Sequence, residues 1–273
     1  MTETAEPIAA GGAYVDTGEL SVWYTDQGQG LPLILVHGGL GTGAMWSDRV
    51  VTDLARKYRL LAPDSRGHGR TANPADTLRY DQMADDVAAF AGALGLERPL
   101  VLGYSDGAQI ALELGLRHPG LARALVIGGV VTGPSEAYLR MVGELGFPKR
   151  GVAELDEVRR AMGDWWDTLR TAHHHARSDE AFRAYLAQIS ELWYSVPAYT
   201  DAQLASITAP SLVIAGDRDK PSLDDSLRLY RLLPHAELAV VPNADHGAGE
   251  KPLFWELVKD FLSRHVHEET TDA

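Results

Sequence analysis

Short apolar runs alternate with helical patterns along most of the chain. Residues 33–36, 100–102 and 124–127 are apolar at every position, which predicts strands buried on both faces. Residues 80–94 instead repeat apolar side chains at helical spacing. Buried strands that alternate with helices predict an α/β fold, with a mostly parallel sheet covered by helices on both faces.

The segment from residue 132 to residue 200 breaks this alternation. It has no run typical of a buried strand, it is helical in pattern, and it holds three of the six tryptophans. We therefore predict an α/β core formed by residues 1–131 and 201–273, with a helical cap, or lid, formed by residues 132–200. The segment follows a strand whose carboxyl end should border the ligand crevice, so we expect a pocket beneath it. The alternative is a helical excursion that only covers core.

The strongest chemical signal is the sequence GYSDG at residues 103–107, which comes directly after a predicted strand and directly before a predicted helix. A G-x-S-x-G pattern in that context indicates a nucleophile elbow. The turn is so tight that Ser105 must adopt a strained backbone conformation, and the flanking glycines remove side chains that would collide there. The pattern therefore predicts Ser105 as a nucleophile held above the sheet.

A serine hydroxyl needs a base that is itself oriented by a third group. Among the ten histidines, His246 is the best candidate base. It follows the last predicted strand, at residues 237–241, and so lies at the sheet edge where Ser105 is expected. A surface loop histidine without a catalytic role is the alternative.

The acid that orients His246 should follow a strand between the elbow and that histidine. The strand predicted at residues 211–215 is followed by the letters GDRD, which offer Asp217 and Asp219. We favour Asp219 because it lies farther into the loop and can reach across to His246. Asp217 stays open as an alternative, and the more distant choices are Asp224 and Asp225.

A developing oxyanion needs two backbone N–H donors that are fixed before the reaction. The residue after the nucleophile, Asp106, should supply one. The second should come from the HGGLG sequence after the first buried strand, where we choose Gly39 and keep Leu40 as the fallback. His37 in the same sequence is interpreted as a structural hydrogen-bonding residue rather than a base.

Aromatic side chains of the helical segment are expected to shape the substrate pocket. The predicted pocket residues are His37, Tyr104, Phe147, Trp165, Trp166, Trp193 and Tyr194. Such a pocket favours a medium-sized, partly apolar ester or a cyclic lactone. Histidines 173–175 do not predict a metal site, because consecutive helical residues point about 100° apart. No metal or organic cofactor is expected.

Composition and charge narrow the possible partners. The chain has no cysteine, which excludes disulfides, thiolate metal sites and cysteine nucleophiles. Its net charge of −13 argues against nucleic acids and anionic membranes as partners. No run approaches the roughly 18 apolar residues of a membrane helix. The N-terminus carries acids where an export signal would carry Lys or Arg, so we expect a cytoplasmic protein. The oligomeric state stays open.

These residues resemble the α/β-hydrolase superfamily, over nearly the whole chain. The order Ser105, Asp219, His246 is similar to the family's nucleophile–acid–histidine order, and residues 37–39 resemble its oxyanion loop. The resemblance implies a serine esterase with a helical cap. The Ser-Asp-Gly triplet is also similar to valacyclovir-hydrolase-like members, which implies recognition of a substrate α-amino group by Asp106. The alternative is that this aspartate only faces the helix N-terminus.

The resulting hypothesis is a serine hydrolase that cleaves a carboxylic ester or a lactone through an acyl-enzyme. Haloalkane dehalogenases and epoxide hydrolases of the superfamily carry Asp at the position of Ser105, so those reactions are not expected here. Three alternatives remain. They are a low-turnover small-molecule binding protein of the same fold, a cofactor-free perhydrolase and a C–C bond hydrolase.

Overall fold

The computed structural model describes residues 11–75, 77–219 and 222–266. Eight strands in these ranges form one sheet in the order β1-β2-β4-β3-β5-β6-β7-β8. The strands are β1 (Gly12–Asp16), β2 (Ser21–Gln27), β3 (Leu31–Val36), β4 (Tyr58–Pro63), β5 (Leu100–Tyr104), β6 (Ala124–Gly128), β7 (Ser211–Gly216) and β8 (Ala236–Val241). The expectation of a cytoplasmic protein rests on the absence of cysteine and on the acidic N-terminal residues, which lie outside the described ranges.

The sheet is parallel from β4 to β8 and antiparallel at the β1-β2-β4 edge. Its central strands are apolar at every position because both faces are covered. In β3, Ile34 and Val36 join one apolar cluster, whereas Leu33 and Leu35 join the cluster on the other face. The predicted fold class, a mostly parallel sheet flanked by helices, is confirmed.

Helices cover the two faces in separate groups. The apolar side chains of α1 and α10 lie in one cluster, and those of α2, α3 and α9 lie in the other. The helices are α1 (Asp48–Leu54), α2 (Tyr80–Ala93), α3 (Asp106–Arg117), α4 (Glu136–Glu144), α5 (Leu155–Met162), α6 (Trp166–Ala172), α7 (Asp179–Tyr194), α8 (Asp201–Ala205), α9 (Ser222–Leu232) and α10 (Pro252–Arg264). No helix in the described part of the chain is long and apolar enough to cross a membrane.

The chain does not pass directly from the loop after β3 into α1. A single 3-10 turn at Gly43–Met45 precedes α1, and Trp46 between them is extended, with φ −74° and ψ 124°. The N–H of Gly43 donates to the Asp64 carboxylate at 2.8 Å, which ties this turn to the loop after β4 instead of to a longer helix.

Helices α4 to α8 lie between β6 and β7, and we call this part of the chain the insertion. Its described residues form no strand, only an isolated bridge between Lys149 and Val152. The buried face of α7 carries Phe182, Leu186 and Ile189, which belong to the same apolar cluster as the sheet residues Ile34 and Val36. The insertion therefore packs directly on the carboxyl-end side of the core and shares its hydrophobic interior.

Candidate active site

Ser105 lies in the tight turn between β5 and α3. Its backbone has φ 56° and ψ −118°, a region that residues with a side chain rarely adopt. A Cβ atom on Gly103 would lie 2.0 Å from the Gly107 carbonyl oxygen, and one on Gly107 would lie 2.1 Å from the Val36 oxygen. The turn thus requires glycine at both flanking positions, and it places the Ser105 hydroxyl at the carboxyl edge of the sheet.

The structure brings His246 and Asp219 to this hydroxyl from two other loops of the same edge. The Nε2 atom of His246 lies 3.0 Å from Ser105 Oγ. On the opposite side of the ring, Nδ1 lies 3.1 Å from each carboxylate oxygen of Asp219. A buried carboxylate at Nδ1 keeps the hydrogen on that nitrogen, so Nε2 is left with a lone pair that faces the hydroxyl.

The alternative acids have other partners. The carboxylate of Asp217 accepts a 3.1 Å hydrogen bond from the N–H of Ala244 and so joins the loops after β7 and β8. Asp225 accepts a hydrogen bond from the Thr132 hydroxyl. Among the described contacts of His246, Asp219 is the carboxylate that bonds its ring.

Tyr104 and Gly129 lie against His246. The hydroxyl of Tyr104 donates a 2.7 Å hydrogen bond to the His246 carbonyl. Gly129 has φ 64°, and a Cβ atom there would lie 3.0 Å from Cε1 of the imidazole, so glycine leaves room for the ring. Burial lowers the pKa of His246, but the hydrogen bond to Asp219 and the charges of Asp219, Asp106 and Asp245 raise it, and the pKa is raised overall.

The loop after β3 lies against the nucleophile. A Cβ atom on Gly38 would lie 3.2 Å from Ser105 Cβ, and one on Gly39 would lie 2.4 Å from Oδ2 of Asp106. The N–H groups of Gly39, Leu40 and Asp106 have no backbone acceptor among the described residues. Asp106 also begins α3, where the helix dipole favours negative charge. These N–H groups can therefore bind an oxyanion that forms beside Ser105.

A cavity of about 430 Å³ opens between the core and the insertion. Ser105, Asp106 and His246 lie on its core side, together with the candidate oxyanion residues. Its walls are mostly apolar side chains, and none of the described lining residues is Lys or Arg. Lining residues from the insertion include Tyr138, Met141, Val142, Leu145, Met162, Trp165, Trp193 and Val196. The candidate site therefore lies in a pocket with mostly apolar walls.

Trp165 and Trp193 line this cavity, but five other predicted pocket residues do not, and that part of the prediction is corrected. Phe147 is fully buried behind Trp193, with the two ring centroids 4.7 Å apart. Trp166 packs against Phe182 within the insertion.

The remaining three make polar bonds and do not line this cavity, although Tyr104 lines a second cavity together with His246. The Tyr194 hydroxyl donates to the Phe147 carbonyl at 2.9 Å, and the Tyr104 hydroxyl is held by His246. His37 is buried below the oxyanion loop. Its Nε2 accepts from the Ser65 N–H at 2.9 Å, and its Nδ1 donates to the Gly38 carbonyl at 2.8 Å, so both ring nitrogens are occupied.

Asp106 places a carboxylate on the cavity wall. Oδ1 accepts a 2.9 Å hydrogen bond from the Tyr80 hydroxyl, and Oδ2 accepts a 2.8 Å bond from Nε1 of Trp193. Burial raises the pKa of this carboxyl, and the two hydrogen bonds offset part of the rise. The side chain therefore faces the pocket rather than serving only as a cap of α3.

Residues 173–175 are not on a helix, which corrects the premise of the sequence argument about them. His173 follows α6, and the two next histidines form a turn. His173 is fully buried and bonds the Leu40 carbonyl. Within the described ranges, no three His, Cys, Asp or Glu side chains are grouped as metal ligands.

Tyr80 and Gln109 are among the core residues that line the cavity, and sequence reasoning missed them. Tyr80 lies three residues before Met83, on the apolar face of α2 that the spacing predicted. Gln109 lies four residues after Ser105, one helical turn along α3, so it faces the same side of the helix. Helical spacing from Ser105 would have found Gln109, and the predicted apolar face of α2 includes Tyr80.

Comparisons with known proteins show the family to which the chain is related. The model of the "Alpha/beta hydrolase family" matches residues 33–255. A 2-hydroxymuconate semialdehyde hydrolase of Pseudomonas sp. (strain CF600) is 30% identical over 262 residues, which cover 87% of this chain and 89% of the relative. A non-heme haloperoxidase of Rhodococcus erythropolis is 27% identical over 258 residues, covering 83% and 89%.

Solved structures show the same architecture. The structure of an esterase from Rhodococcus sp. ECU1013 superposes with a TM-score of 0.72 at 26% identity, and the match covers 92% of this chain and 98% of that chain. The elbow after β5, the sheet order and the family match point to one conclusion. The chain belongs to the alpha/beta hydrolase family.

Proposed function

We propose that the protein is a serine hydrolase that cleaves a carboxylic ester or a lactone through an acyl-enzyme intermediate. The observation that carries this proposal is the 3.0 Å contact between Ser105 Oγ and His246 Nε2, with Asp219 bonded to the other ring nitrogen. A nucleophile, a base and a group that orients the base are the parts that acyl transfer requires.

The reaction proceeds in two steps. His246 Nε2 takes the hydroxyl proton as Ser105 Oγ bonds to the substrate carbonyl carbon, and the carbonyl electron pair moves onto its oxygen. Backbone N–H groups of Asp106 and of Gly39 or Leu40 hold that oxyanion. Its collapse breaks the ester C–O bond, and the leaving oxygen takes the proton from His246. A water molecule then attacks the acyl-enzyme in the same way and releases the acid.

The cavity favours an uncharged or cationic substrate over an anionic one. Its described lining includes the Asp106 carboxylate and no Lys or Arg, so a substrate carboxylate placed there would be desolvated beside a negative group. A neutral ester or lactone meets no such penalty. An amine near Asp106 would be attracted, but both carboxylate oxygens already accept hydrogen bonds, so the amine is not required to satisfy them.

Hydrolysis of a carbon–carbon bond beside a carbonyl is the second candidate. The relative from Pseudomonas is named for 2-hydroxymuconate semialdehyde, a molecule without an ester. Such a substrate carries a carboxylate, for which the cavity lining offers no cationic partner, and this is why we favour ester or lactone hydrolysis.

We propose that the insertion acts as a cap over the site. Trp165 and Trp193 contribute to the cavity wall, and the Trp193 indole bonds the core residue Asp106. The cap defines the size and polarity of the pocket, and the core supplies the reacting groups.

The proposal is tested with a fluorophosphonate probe and with p-nitrophenyl acetate and butyrate. We expect the probe to label Ser105, and Ser105→Ala to lower kcat/KM by about 10⁴-fold or more. A β-diketone panel tests C–C hydrolysis, and acetate with peroxide tests perhydrolysis. An Ala variant that keeps the activity overturns the assignment. Stoichiometric labelling without turnover on any substrate favours the low-turnover binding protein.

A further inference from the structure

His173 connects the insertion to two core loops near the candidate oxyanion site. It is fully buried, and its Nδ1 accepts a 2.9 Å hydrogen bond from the Gly69 N–H. Because a backbone N–H can only donate, Nδ1 carries no hydrogen, and the ring hydrogen is on Nε2. That Nε2–H donates to the Leu40 carbonyl at 3.0 Å. Both nitrogens of this neutral imidazole are thus used, and its tautomer is fixed.

Two peptide groups and the hydrogen bond between them link the Leu40 carbonyl to the Gly39 N–H, the candidate oxyanion donor. The Leu40 carbonyl shares one plane with the Gly41 N–H, which donates to the Gly38 carbonyl at 3.1 Å. The Gly38 carbonyl in turn shares a plane with the Gly39 N–H. In a trans peptide the carbonyl and the N–H point in opposite directions. Holding the Gly38 oxygen on the core side therefore turns the Gly39 N–H toward the side of Ser105.

The loop needs such support because its backbone is strained. Leu40 has φ 60°, in the left-handed region that a leucine rarely occupies. Strained residues persist only where surrounding contacts hold them. The contact on the Leu40 carbonyl comes from His173, and the core supplies a second support through His37, which bonds the Gly38 carbonyl.

We propose that His173 is a positioning residue for the oxyanion donors: its Nε2–H holds the Leu40 carbonyl and, through Gly41, orients the peptide that carries the Gly39 N–H. This inference rests on the proposed function. It gives the insertion a part in the chemistry, since a side chain more than 100 residues from the oxyanion loop in sequence controls that loop's shape.

The charge state of His173 is consistent with this positioning role. Burial is the main reason that its pKa is lowered to about 4; the hydrogen bond to Leu40 raises the pKa, and the neighbouring imidazoles of His37, His175 and His174 lower it. The neutral form, with hydrogen on Nε2, is therefore kept at the higher pH at which His246 can act as a base.

Two substitutions separate the hydrogen bond at Nδ1 from the contacts at Nε2, where the Tyr185 hydroxyl also lies 3.2 Å from the ring nitrogen. In His173→Gln, the amide reaches the former Nε2 position and can still donate to Leu40. In His173→Asn, the shorter amide reaches only the Nδ1 position, so it can accept from Gly69 but cannot reach Leu40. We expect Asn to lower kcat about 10- to 100-fold with KM within about threefold, a part of the 10²–10³-fold loss typical when an oxyanion donor is removed. Gln should restore kcat to within about fivefold of the wild type.

His174→Asn is the matched control, because it makes the same change at the exposed neighbouring residue. It should leave kcat and KM unchanged. Far-UV circular dichroism and the thermal midpoint show which variants are folded. If His173→Asn does not fold, the Gln variant decides, and a folded Gln variant with a 10-fold or greater loss of kcat overturns the proposal.

The affinity for a trifluoromethyl ketone distinguishes a loss of oxyanion binding from a general structural defect. The ketone adds to Ser105 as a tetrahedral oxyanion, so in His173→Asn its affinity should fall by the same factor as kcat/KM. The affinity of the product acid should stay within about twofold. A folded Asn variant with wild-type kcat and ketone affinity overturns the proposal. Failure of the proposed function itself would appear separately, as activity that survives Ser105→Ala.

Discussion

The indole nitrogen of Trp193 donates a 2.8 Å hydrogen bond to Oδ2 of Asp106, and so joins helix α7 of the insertion to the residue next to Ser105. The other carboxylate oxygen accepts from the Tyr80 hydroxyl. Both donors are neutral, and the acid is buried. The cavity wall beside the nucleophile therefore contains a desolvated carboxylate whose hydrogen bonds come from the core and from the insertion.

Trp193→Phe tests the contribution of that hydrogen bond. Phenylalanine keeps an aromatic ring against Phe147 but removes the N–H donor. Leaving a buried carboxylate oxygen without its partner costs about 1–3 kcal/mol, or more for a charged group. We expect the free energy of unfolding at pH 7.5 to fall by at least that amount, as measured by urea denaturation.

Trp166→Phe is the matched control, because this half-buried tryptophan packs against Phe182 and bonds no carboxylate within the described ranges. It should lower the free energy of unfolding by less than Trp193→Phe does. Equal losses in the two variants would show that ring volume, not the bond to Asp106, sets the effect.

Asp106→Asn should move the acid limb of the pH–kcat/KM profile. His246 acts as a base only when neutral, and its pKa is raised, so the wild-type limb should lie above the ordinary value of about 6.5. The charge of Asp106 contributes to that rise, after the larger effect of Asp219. Removing this charge lowers the pKa of His246, and activity should persist to lower pH. Initial rates between pH 5 and 9 measure the shift.

Glu113→Gln is the control for this shift. Glu113 is also a buried acid of α3, bonded to Tyr199, and it does not act on His246. Its substitution should leave the acid limb of the pH–kcat/KM profile at the same pH as in the wild type. An acid limb that stays fixed in Asp106→Asn would mean that this carboxyl is already neutral in the free protein.

Asp219→Asn and Asp217→Asn form a second matched pair. Asparagine at position 219 removes the charge that stabilises the imidazolium and can stabilise the wrong tautomer, so kcat should fall about 10³- to 10⁴-fold. Asp217 bonds the Ala244 backbone and not the imidazole, so its substitution should change kcat less than about threefold. Steady-state rates on a p-nitrophenyl ester compare them. A larger loss in Asp217→Asn would reverse the assignment of the acid.

Local patterns were enough to predict the sheet and to place Ser105, His246 and Asp219 at one edge. Continuous apolar runs predict buried parallel strands, and carboxyl ends of parallel strands meet at one side, whatever the details of packing. The glycines around Ser105 predicted a tight turn, because few other residues fit such a turn.

The walls of the pocket could not be predicted in the same way. Whether Trp165 or Trp166 faces the cavity depends on how the short helices of the insertion pack, and sequence spacing does not determine that packing. The bond between His173 and Leu40 joins residues 133 positions apart, so no local pattern could indicate it.

His68 offers a test of how buried histidines limit stability in acid. Its side chain lies between His37 and His173, with ring centroids 5.1 and 5.7 Å away, and its Nε2 has no hydrogen-bond partner among the described residues. Burial lowers the pKa of His68 well below 6.5, and the neighbouring imidazoles lower it further. The unfolded chain therefore binds a proton that the folded protein excludes, and stability is lost as pH falls below about 6.5.

His68→Asn removes this titration and keeps an amide donor for the Arg66 carbonyl, which Nδ1 bonds at 2.9 Å. Between pH 7.5 and 5.5 the variant should lose about 1 kcal/mol less unfolding free energy than the wild type, since one fewer proton is excluded. Urea denaturation at each pH measures the difference. His235→Asn is the control, because it makes the same change at an exposed histidine. Its unfolding free energy should depend on pH as that of the wild type does. If the unfolding free energy of His68→Asn depends on pH in the same way as that of the wild type, His68 binds its proton equally well in the folded and unfolded states.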